Sequence, residues 1–326
     1  MKRICLRLAA LFCFLAVTGT AHAEGFALYE YSARGIALGG SVMARKPDAS
    51  AVAYNPALMT KLPGIHIMGG VSAISPEGDM RTTDAAGNKE TTSLKSATWY
   101  IPHVYYTQQI NDRFTVGIGE FSRYGLGFEY PHDWPGRFNV YQVSLKSASL
   151  NPSLAWAATD KLSLAAGLEV VYVTLDLKKR AQFPIPPMGI PVGAMEVDSN
   201  IQNAEDFGLG FNLAGHYQFN DQWAVGLQYR SQVRVHAKGD VQYTYMGYQG
   251  HPAGEPFAQP VFNSVFDDGK AHATVILPDS LSAGLSWTPI PNLSLEVGAT
   301  WTRWSSFRGL NIHLPEPIGV SNNPKH

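Results

Sequence analysis

The chain has 326 residues, a charged fraction of 16% and a formal net charge of −1 at pH 7. This near-neutral balance argues against a nucleic-acid-binding protein, which would carry a strongly basic surface. Mean hydropathy is −0.09, too polar for a bundle of membrane-spanning helices, and no run of the ~18 apolar residues that such a helix needs follows the N-terminus.

Residues 1–23 have the organisation of a secretory signal peptide. Basic residues near the start precede an apolar stretch over residues 8–17, which is too short to span a bilayer. Ala21-His22-Ala23 is a small-residue cleavage site, so we expect the mature chain to begin at Glu24. Both cysteines, Cys5 and Cys13, lie before that point. The mature protein is therefore predicted to contain no disulfide and no reactive thiol.

Residues 24–64 lack strand alternation and carry helix signals. Ser32 to Ala44 is rich in small residues with weak helical spacing, and Asp48 is a predicted N-cap for the following residues. Asn55-Pro56 predicts a second helical start, with Asn as the cap and Pro at the first helical position. Where the strands that follow form a barrel, a compact segment of this kind predicts a plug, or hatch, at its periplasmic end. A flexible leader without a role is the alternative.

From residue 65 onward the sequence predicts consecutive strands whose connections alternate between short and long. Compact turns are predicted at Asn111-Asp112, Asp160-Lys161, Asn220-Asp221 and Pro291-Asn292, and long polar or Gly/Pro-rich connections at 76–95, 122–138, 178–203 and 240–270. Short turns on one side and long loops on the other are typical of a transmembrane β-barrel. We therefore predict an all-β fold, a transmembrane antiparallel β-barrel over residues 65–326, with a small N-terminal helical hatch.

The clearest predicted strand runs from Gln222 to Lys238, with apolar residues at nearly all odd positions and mostly polar or charged residues at even positions. Such a strand can cross a membrane when tilted, whereas strands of soluble proteins are usually about 5–6 residues long. Large apolar residues outside and small or polar residues inside fit lipid around a polar lumen. In an earlier strand, a phase slip near Val170-Val171 predicts a β-bulge.

Several stretches resemble, in order and spacing, the FadL-type outer-membrane transporters (OMPP1/FadL/TodX-like proteins). In the hatch they include Gly25-Phe26-Ala27-Leu28 and Tyr54-Asn55-Pro56-Ala57. Later stretches include Trp134-Pro135-Gly136-Arg137, Asn151-Pro152-Ser153-Leu154-Ala155-Trp156, Tyr229-Arg230-Ser231, Leu277-Pro278 and Trp301-Thr302-Arg303-Trp304. The resemblance covers essentially the whole mature chain. It assigns Gly25, Phe26, Asn55, Pro56 and Ala57 to the hatch.

The resemblance implies a barrel of about 14 strands with an N-terminal plug, in the outer membrane of a Gram-negative bacterium. It implies passive uptake of long-chain fatty acids or other hydrophobic molecules, which are captured at extracellular loops and pass to a site in the lumen. Hatch movement and a kink in the third strand then let the substrate leave sideways into the membrane. The kink corresponds here to Gly117-Ile118-Gly119, a glycine-rich strand interior.

A fatty acid needs an apolar surface for its tail and a cation for its carboxylate. Two loops supply candidate apolar contacts: Phe183, Ile185, Met188, Ile190 and Val192 in one, and Tyr124, Leu126, Phe128 and Trp134 in the other. The alternative is that these residues only pack on one another over the barrel mouth. For the carboxylate, Arg230, Arg234 and Lys238 share the predicted inner face of one strand. The alternative is that these cations pair with acidic residues of the wall or plug.

The sequence is compatible with other classes of function. An outer-membrane lipid hydrolase is the main alternative to a transporter, although no G-x-S-x-G motif is present and we predict no catalytic residues. A structural or adhesin-like barrel is the third class. Some relatives move aromatic hydrocarbons instead of fatty acids. The sequence therefore does not decide between these two substrate classes. We expect no metal, no cofactor and no nucleic acid, a monomer, and contacts with outer-membrane lipid and lipopolysaccharide.

The strand count carries one further expectation. About nine strands are predicted, the ninth rising through Trp301 towards Phe307, before a polar tail over residues 321–326. Single-chain bacterial barrels have even strand numbers. The sequence therefore predicts a barrel that lacks roughly five of the strands implied by the resemblance.

Overall fold

The computed structural model describes residues 25–83, 87–184, 194–250 and 252–314. Its strands are β1 (Ile65–Ile74), β2 (Asp79–Thr83), β3 (Lys89–Ser93), β4 (Trp99–Gln109), β5 (Phe114–Phe121), β6 (Gly125–Glu129), β7 (Gln142–Ala157), β8 (Leu162–Pro184), β9 (Ala194–Gln218), β10 (Trp223–Arg230), β11 (Val233–Gln249), β12 (Gly269–Leu277), β13 (Ser280–Ile290), β14 (Leu293–Thr302) and β15 (Asn311–His313). The helices are α1 (Ala33–Ala37), α2 (Ala51–Tyr54) and α3 (Glu255–Val265), with 3-10 turns at Pro56–Lys61, Pro252–Gly254 and Trp304–Ser306. Within these ranges, no helix has the length and apolar character needed to cross a membrane.

One antiparallel sheet forms the wall. Its main path runs β1-β4-β5-β7-β8-β9-β10-β13-β14. The strands β6, β11 and β12 extend β5, β10 and β13 beyond short interruptions. The described residues thus form nine successive wall positions, and the predicted count of about nine is confirmed. The β2–β3 hairpin is a separate sheet in the connection between β1 and β4.

The four compact turns are confirmed. The Oδ1 atom of Asn111 accepts two following backbone N–H groups, both at 2.9 Å. Asn220 does the same at 2.9 and 3.0 Å, which is why asparagine favours such turns. The loops predicted at 178–203 and 240–270 are shorter than expected, because β8 continues to Pro184, β9 starts at Ala194 and β11 continues to Gln249.

The two faces of the wall have opposite chemistry to those of a soluble barrel. On β7, Leu150, Leu154 and Trp156 are 46%, 48% and 41% exposed, whereas Ser149 and Asn151 on the opposite face are fully buried. Apolar side chains therefore point outward and polar ones inward, as in a barrel that is surrounded by lipid.

The hatch lies against the inner face of the wall. Two of its short helical segments begin at side-chain caps. Ser32 Oγ accepts the N–H of Gly35 at 3.0 Å at the start of α1. Asn55 Oδ1 accepts the N–H of Ala57 at 3.1 Å at the second start, as predicted. Burial raises the pKa of the Tyr54 hydroxyl to about 12. The hydroxyl therefore stays protonated and donates to the carbonyl of Tyr29 at 2.8 Å.

Two helical predictions in the hatch need correction. The stretch from Ser32 to Ala44 forms only the single-turn helix α1. Asp48 does not cap α2, whose N-cap residue is Ser50. Instead, Asp48 Oδ1 accepts the backbone N–H of Ser50 at 2.9 Å, which makes a turn ahead of the helix.

The prediction of one strand from Gln222 to Lys238 is wrong. The wall breaks at residues 231–232, where Ser231 N donates to the Phe211 carbonyl and Ser231 Oγ accepts the Phe211 N–H, both at 2.9 Å. Even residues face inward in β10, but the odd residues Val233 and Val235 are the buried ones in β11. The predicted bulge at Val170-Val171 is likewise absent, because pairing with β9 stays in register there and shifts only at Leu175/Leu177.

Candidate functional site

A buried charge cluster lies between hatch and wall. Arg123 Nη1 donates to Glu169 Oε2 at 2.9 Å, and Arg230 Nη1 donates to the same oxygen at 3.2 Å. The three side chains are at most 3% exposed. They come from three wall positions: the interruption after β5, the middle of β8 and the end of β10. Two cations share one carboxylate, so the cluster carries a formal positive charge in a region without bulk water.

Arg230 also ties the hatch to the wall. Its Nη2 donates to the carbonyls of Ala53 at 2.7 Å and Val52 at 3.4 Å, and its guanidinium lies over the Phe121 ring at 5.0 Å. Only Nε lacks a partner among the described residues. In this state the guanidinium offers no open two-pronged fork to a substrate carboxylate. The geometry matches the alternative interpretation, in which Arg230 pairs with the wall and the plug.

Arg234 and Lys238 do not share a face with Arg230. Both are exposed on β11, opposite to its buried face, because the break at residues 231–232 reverses which positions face the interior. Arg234 instead lines a separate polar cavity of about 500 Å³ with Arg303 and Arg308. The predicted set of three cations is therefore split between two surroundings.

Above the charge cluster the interior is apolar. On β8 the inward positions change from Ser163 and Glu169 to Val171, Val173 and Leu175, all nearly or fully buried. They pack in one cluster with inward residues of β7, β9, β11 and β12 and with Phe26 of the hatch. The inner wall thus has a polar lower part that faces the hatch and an apolar upper part.

The third wall position is interrupted at residues 122–124, between β5 and β6. β5 pairs with both β4 and β7, but among the described residues β6 pairs only with β7. The opening between β4 and β6, here called the window, has closed ends. At one end Val104 pairs with Glu120. At the other, Lys95 N donates to the Glu129 carbonyl at 2.8 Å, and the two side chains form an ion pair at 2.5 Å.

Part of the hatch occupies the edge of β6 that the window leaves free. Leu28 N donates to the Arg123 carbonyl at 2.8 Å, and Gly125 N donates to the Phe26 carbonyl at 2.9 Å. Beside this segment lies a cavity of about 430 Å³, lined mainly by apolar groups. Its lining includes Leu28, Trp99, Tyr124, Leu126, Leu145 and Lys146. Its volume falls in the range of small-molecule sites.

The predicted kink at Gly117 and Gly119 is not where the strand is interrupted, because pairing is regular through both residues. These glycines instead give the hatch room. A Cβ on Gly117 would lie 2.4 Å from Met59 Sδ of the hatch. One on Gly119 would lie 3.0 Å from Val52 Cγ1 of the hatch and 2.7 Å from the Tyr105 ring of the wall. The absence of a side chain therefore permits close approach of the plug.

The other predicted residues fall in several places. Tyr124 and Leu126 line the window cavity. Phe128 packs at the edge of the apolar interior, and Trp134 stacks on Tyr130 with ring centroids 4.3 Å apart. Phe183 lies against Phe266 at 4.6 Å, near helix α3. Ile185, Met188, Ile190 and Val192 lie outside the described residues.

The predicted hatch residues hold the plug in place. Asn55 Nδ2 donates to the Met43 carbonyl at 2.7 Å and to the Gly215 carbonyl of the wall at 3.2 Å. The Phe26 ring contacts those of Tyr124, Trp304 and Phe307 at 5.0–5.7 Å between centroids. Pro56 and Ala57 are buried, and Gly25 adopts a positive φ of 60° beside Trp304.

Sequence reasoning missed Arg123, Glu169, Trp99 and Lys146. Glu169 carried a usable signal, because a lone carboxylate at an inward position of a membrane strand requires a buried partner. The partner itself, Arg123, lies 46 residues away in sequence. Trp99 and Lys146 come into contact only because the wall is interrupted after β5, and no local sequence pattern predicts this interruption.

Comparisons with known proteins give consistent results. The sequence profile described as "Outer membrane protein transport protein (OMPP1/FadL/TodX)" matches residues 14–323. An outer membrane protein of Neisseria meningitidis serogroup B is 28% identical over 329 residues, which cover 94% of this chain and 69% of that protein. The long-chain fatty acid transport protein of Escherichia coli O6:H1 is 25% identical over 316 residues, covering 90% and 69%. The crystal structure of the Pseudomonas putida toluene transporter TodX superposes with a TM-score of 0.66 at 17% identity, covering 89% and 72%.

Proposed function

Because the chain belongs to the family of outer membrane protein transport proteins (OMPP1/FadL/TodX), a β-barrel family that moves hydrophobic compounds, we propose that it takes up long-chain fatty acids or similar hydrophobic molecules passively. Its location is the outer membrane, as for the relatives named above. The barrel needs no energy source for such uptake, since a hydrophobic molecule moves down its own gradient.

The window and its cavity carry the proposal. An apolar molecule in the cavity touches Leu28 and Leu126, while the interrupted pairing between β4 and β6 leaves a way through the wall. Extracellular loops capture the molecule, the apolar upper interior receives it, and the window releases it sideways into the membrane. Along this route the alkyl chain stays outside the polar lower lumen, where it gains nothing from burial.

Hatch movement is the step that opens the route in this proposal. The segment around residues 26–28 must leave the edge of β6, and Arg230 must release the carbonyls of Val52 and Ala53. Arg230, once free, becomes a partner for a substrate carboxylate, which keeps its predicted role as a transient contact. Outer-membrane lipid and lipopolysaccharide surround the exposed apolar face, and the protein acts as a monomer.

Uptake of aromatic hydrocarbons is the second candidate function. The toluene transporter TodX shares this fold, and the apolar cavity suits a small aromatic ring as well as an alkyl chain. The Arg230→Ala variant separates the two substrates: we expect oleate uptake to fall and toluene uptake to persist. Equal uptake of both by the variant would remove Arg230 from the account.

Uptake in cells tests the proposed function. The host is a strain without its own outer-membrane fatty-acid transporter, so its intact lipopolysaccharide leaflet blocks free entry. We expect labelled oleate to enter at a saturable rate above the empty-vector strain. No uptake of oleate or toluene, together with release of fatty acid from membrane lipid, would favour a lipid hydrolase and contradict the proposal.

A further inference from the structure

Lys146 is an unpaired cation beside the window. In the β6–β7 ladder it pairs with Gly125, on the face that also carries Gly127. Its Nζ lies 5.4 Å from the centroid of the Trp99 ring, within range of a cation–π contact. In the part of the chain that the structure describes, no carboxylate lies within ion-pair distance of Nζ. Lys146 is exposed on the outward face of β7, which also carries Leu150 and Leu154. Its ammonium thus lies at the rim of an apolar cavity without a carboxylate partner among the described residues, and it can attract an anion there.

Trp99 holds this cation and closes the window. Its indole lies against Gly127, where a Cβ would be only 2.4 Å from Trp99 Cζ2. The indole thus spans from β4 to β6 across the window. Its Nε1–H is buried and has no acceptor among the described residues, although a buried tryptophan N–H usually finds one. The cavity rim therefore carries one charged donor, Lys146 Nζ, whereas the Trp99 N–H is packed against Gly127.

Glu120 also lines the cavity, but at the other end. Glu120 of β5 pairs with Leu150 of β7, and Gly125 of β6 pairs with Lys146 of β7. Four residues of strand separate these positions by about 13 Å. No ion pair joins Glu120 and Lys146 among the described residues, so Glu120 does not neutralise the Lys146 ammonium in this structure.

We propose that Lys146 and Trp99 form a carboxylate-binding site at the window, which favours acidic amphipathic molecules over neutral ones of equal length. This inference rests on the proposed uptake of hydrophobic molecules. The Nζ of Lys146 contacts the carboxylate, and the alkyl chain lies along Leu126 and Leu145. Trp99 is a positioning residue, since its ring lies 5.4 Å from Nζ and keeps the ammonium at the rim.

The site is tested on the purified full chain in detergent, with parinaric acid and its methyl ester as fluorescent probes of equal chain length. Lys146→Gln removes the charge and Lys146→Arg keeps it. Lys178→Gln is the matched control, because register places Lys178 beside Gln142, on the same face as Lys146 but outside the cavity. We expect Lys146→Gln to weaken binding of the acid about fivefold, with ester binding unchanged.

Every other outcome either supports or overturns the carboxylate site. Near-normal acid binding by Lys146→Arg and Lys178→Gln supports the site. Equal effects of Lys146→Gln on acid and ester, or equal effects of Lys146→Gln and Lys178→Gln, overturn it. A thermal-stability change in Lys146→Gln only when lipopolysaccharide is added, without selective loss of acid binding, shows a lipid contact instead and also overturns it.

Cell uptake by the same variants separates this inference from the proposed function. One outcome is that the wild type takes up oleate and oleyl alcohol, that Lys146→Gln reduces the uptake of both equally or of neither, and that its binding of acid and ester is equally affected. The proposed function then stands and the Lys146 site fails. If the wild type takes up neither probe while the acid binds through Lys146, the site stands and the proposed function fails.

Discussion

Replacing Glu169 with Gln removes the only carboxylate paired with Arg123 and Arg230 in the described structure. Both arginines are 3% exposed, so water does not replace the lost partner. Removing one member of a buried ion pair typically costs about 3–5 kcal/mol, because a charge stays buried without compensation. Against a total stability of about 5–15 kcal/mol, this loss is large.

A surface ion pair provides the control. Lys270 Nζ lies 2.6 Å from Asp240 Oδ1, but the side chains are 75% and 42% exposed. Asp240→Asn should therefore cost about 1 kcal/mol or less. Urea unfolding of both variants in detergent, followed by tryptophan fluorescence, measures the difference. Equal losses in the two variants would refute the assignment of Glu169 to a dry charge cluster.

Two further predictions concern the moving parts. Gly127→Ala should displace the Trp99 indole and destabilise its closed position by about 1–3 kcal/mol, so oleate uptake by cells should become faster. Gly69→Ala is the control, because its Cβ would meet its nearest atom only at 3.7 Å. Unchanged uptake by both variants would contradict the closing role of Trp99. Glu296 accepts the backbone N–H groups of Met43, Ala44 and Arg45 at 2.7–3.1 Å, so Glu296→Gln should weaken hatch anchoring by about 2 kcal/mol. Hydrogen exchange at residues 43–45 measures this, with the exposed Glu77→Gln as control; unaltered protection in Glu296→Gln would show that the hatch is held elsewhere.

Local chemistry explains why much of the fold was predictable. Turn residues such as Asn111 and Asn220 act through their own side chains, and the outward leucines of β7 face lipid whatever the rest of the chain does. The hatch signals were local too, since the Asn55 cap acts within two residues. Features of this kind can be predicted from short windows of sequence.

The failures share a physical cause. Alternation separates the two faces of a strand only where lipid side and lumen side differ in polarity. Around Val171 and Val233 the interior is itself apolar, so buried valines resemble lipid-facing ones. The change of inner-face chemistry after Glu169 therefore produces the same sequence pattern as a β-bulge. The break at residues 231–232 leaves no mark in the alternation, so the pattern assigns Arg234 and Lys238 to the wrong face.

The candidate site was less predictable than the fold because its contacts are distant in sequence. Leu28, Trp99 and Lys146 reach one cavity from the hatch, β4 and β7. The interruption at residues 122–124 brings them together. The glycines Gly117 and Gly119, where the sequence predicts the kink, instead allow the hatch to approach the wall closely. Tyr124 and Leu126 were found because they belong to the interrupted segment itself.

Hydrophobic molecules leave through the window in the proposed mechanism, and blocking the window tests that route most directly. Both native cysteines precede the described residues, so a single cysteine can be placed at Leu126, which lines the cavity, or at Leu154, an outward residue of β7 that is 48% exposed. After pyrene-maleimide treatment, oleate uptake should fall to the empty-vector level in Leu126→Cys and persist in Leu154→Cys and the wild type. Full uptake by a quantitatively labelled Leu126→Cys would contradict the account.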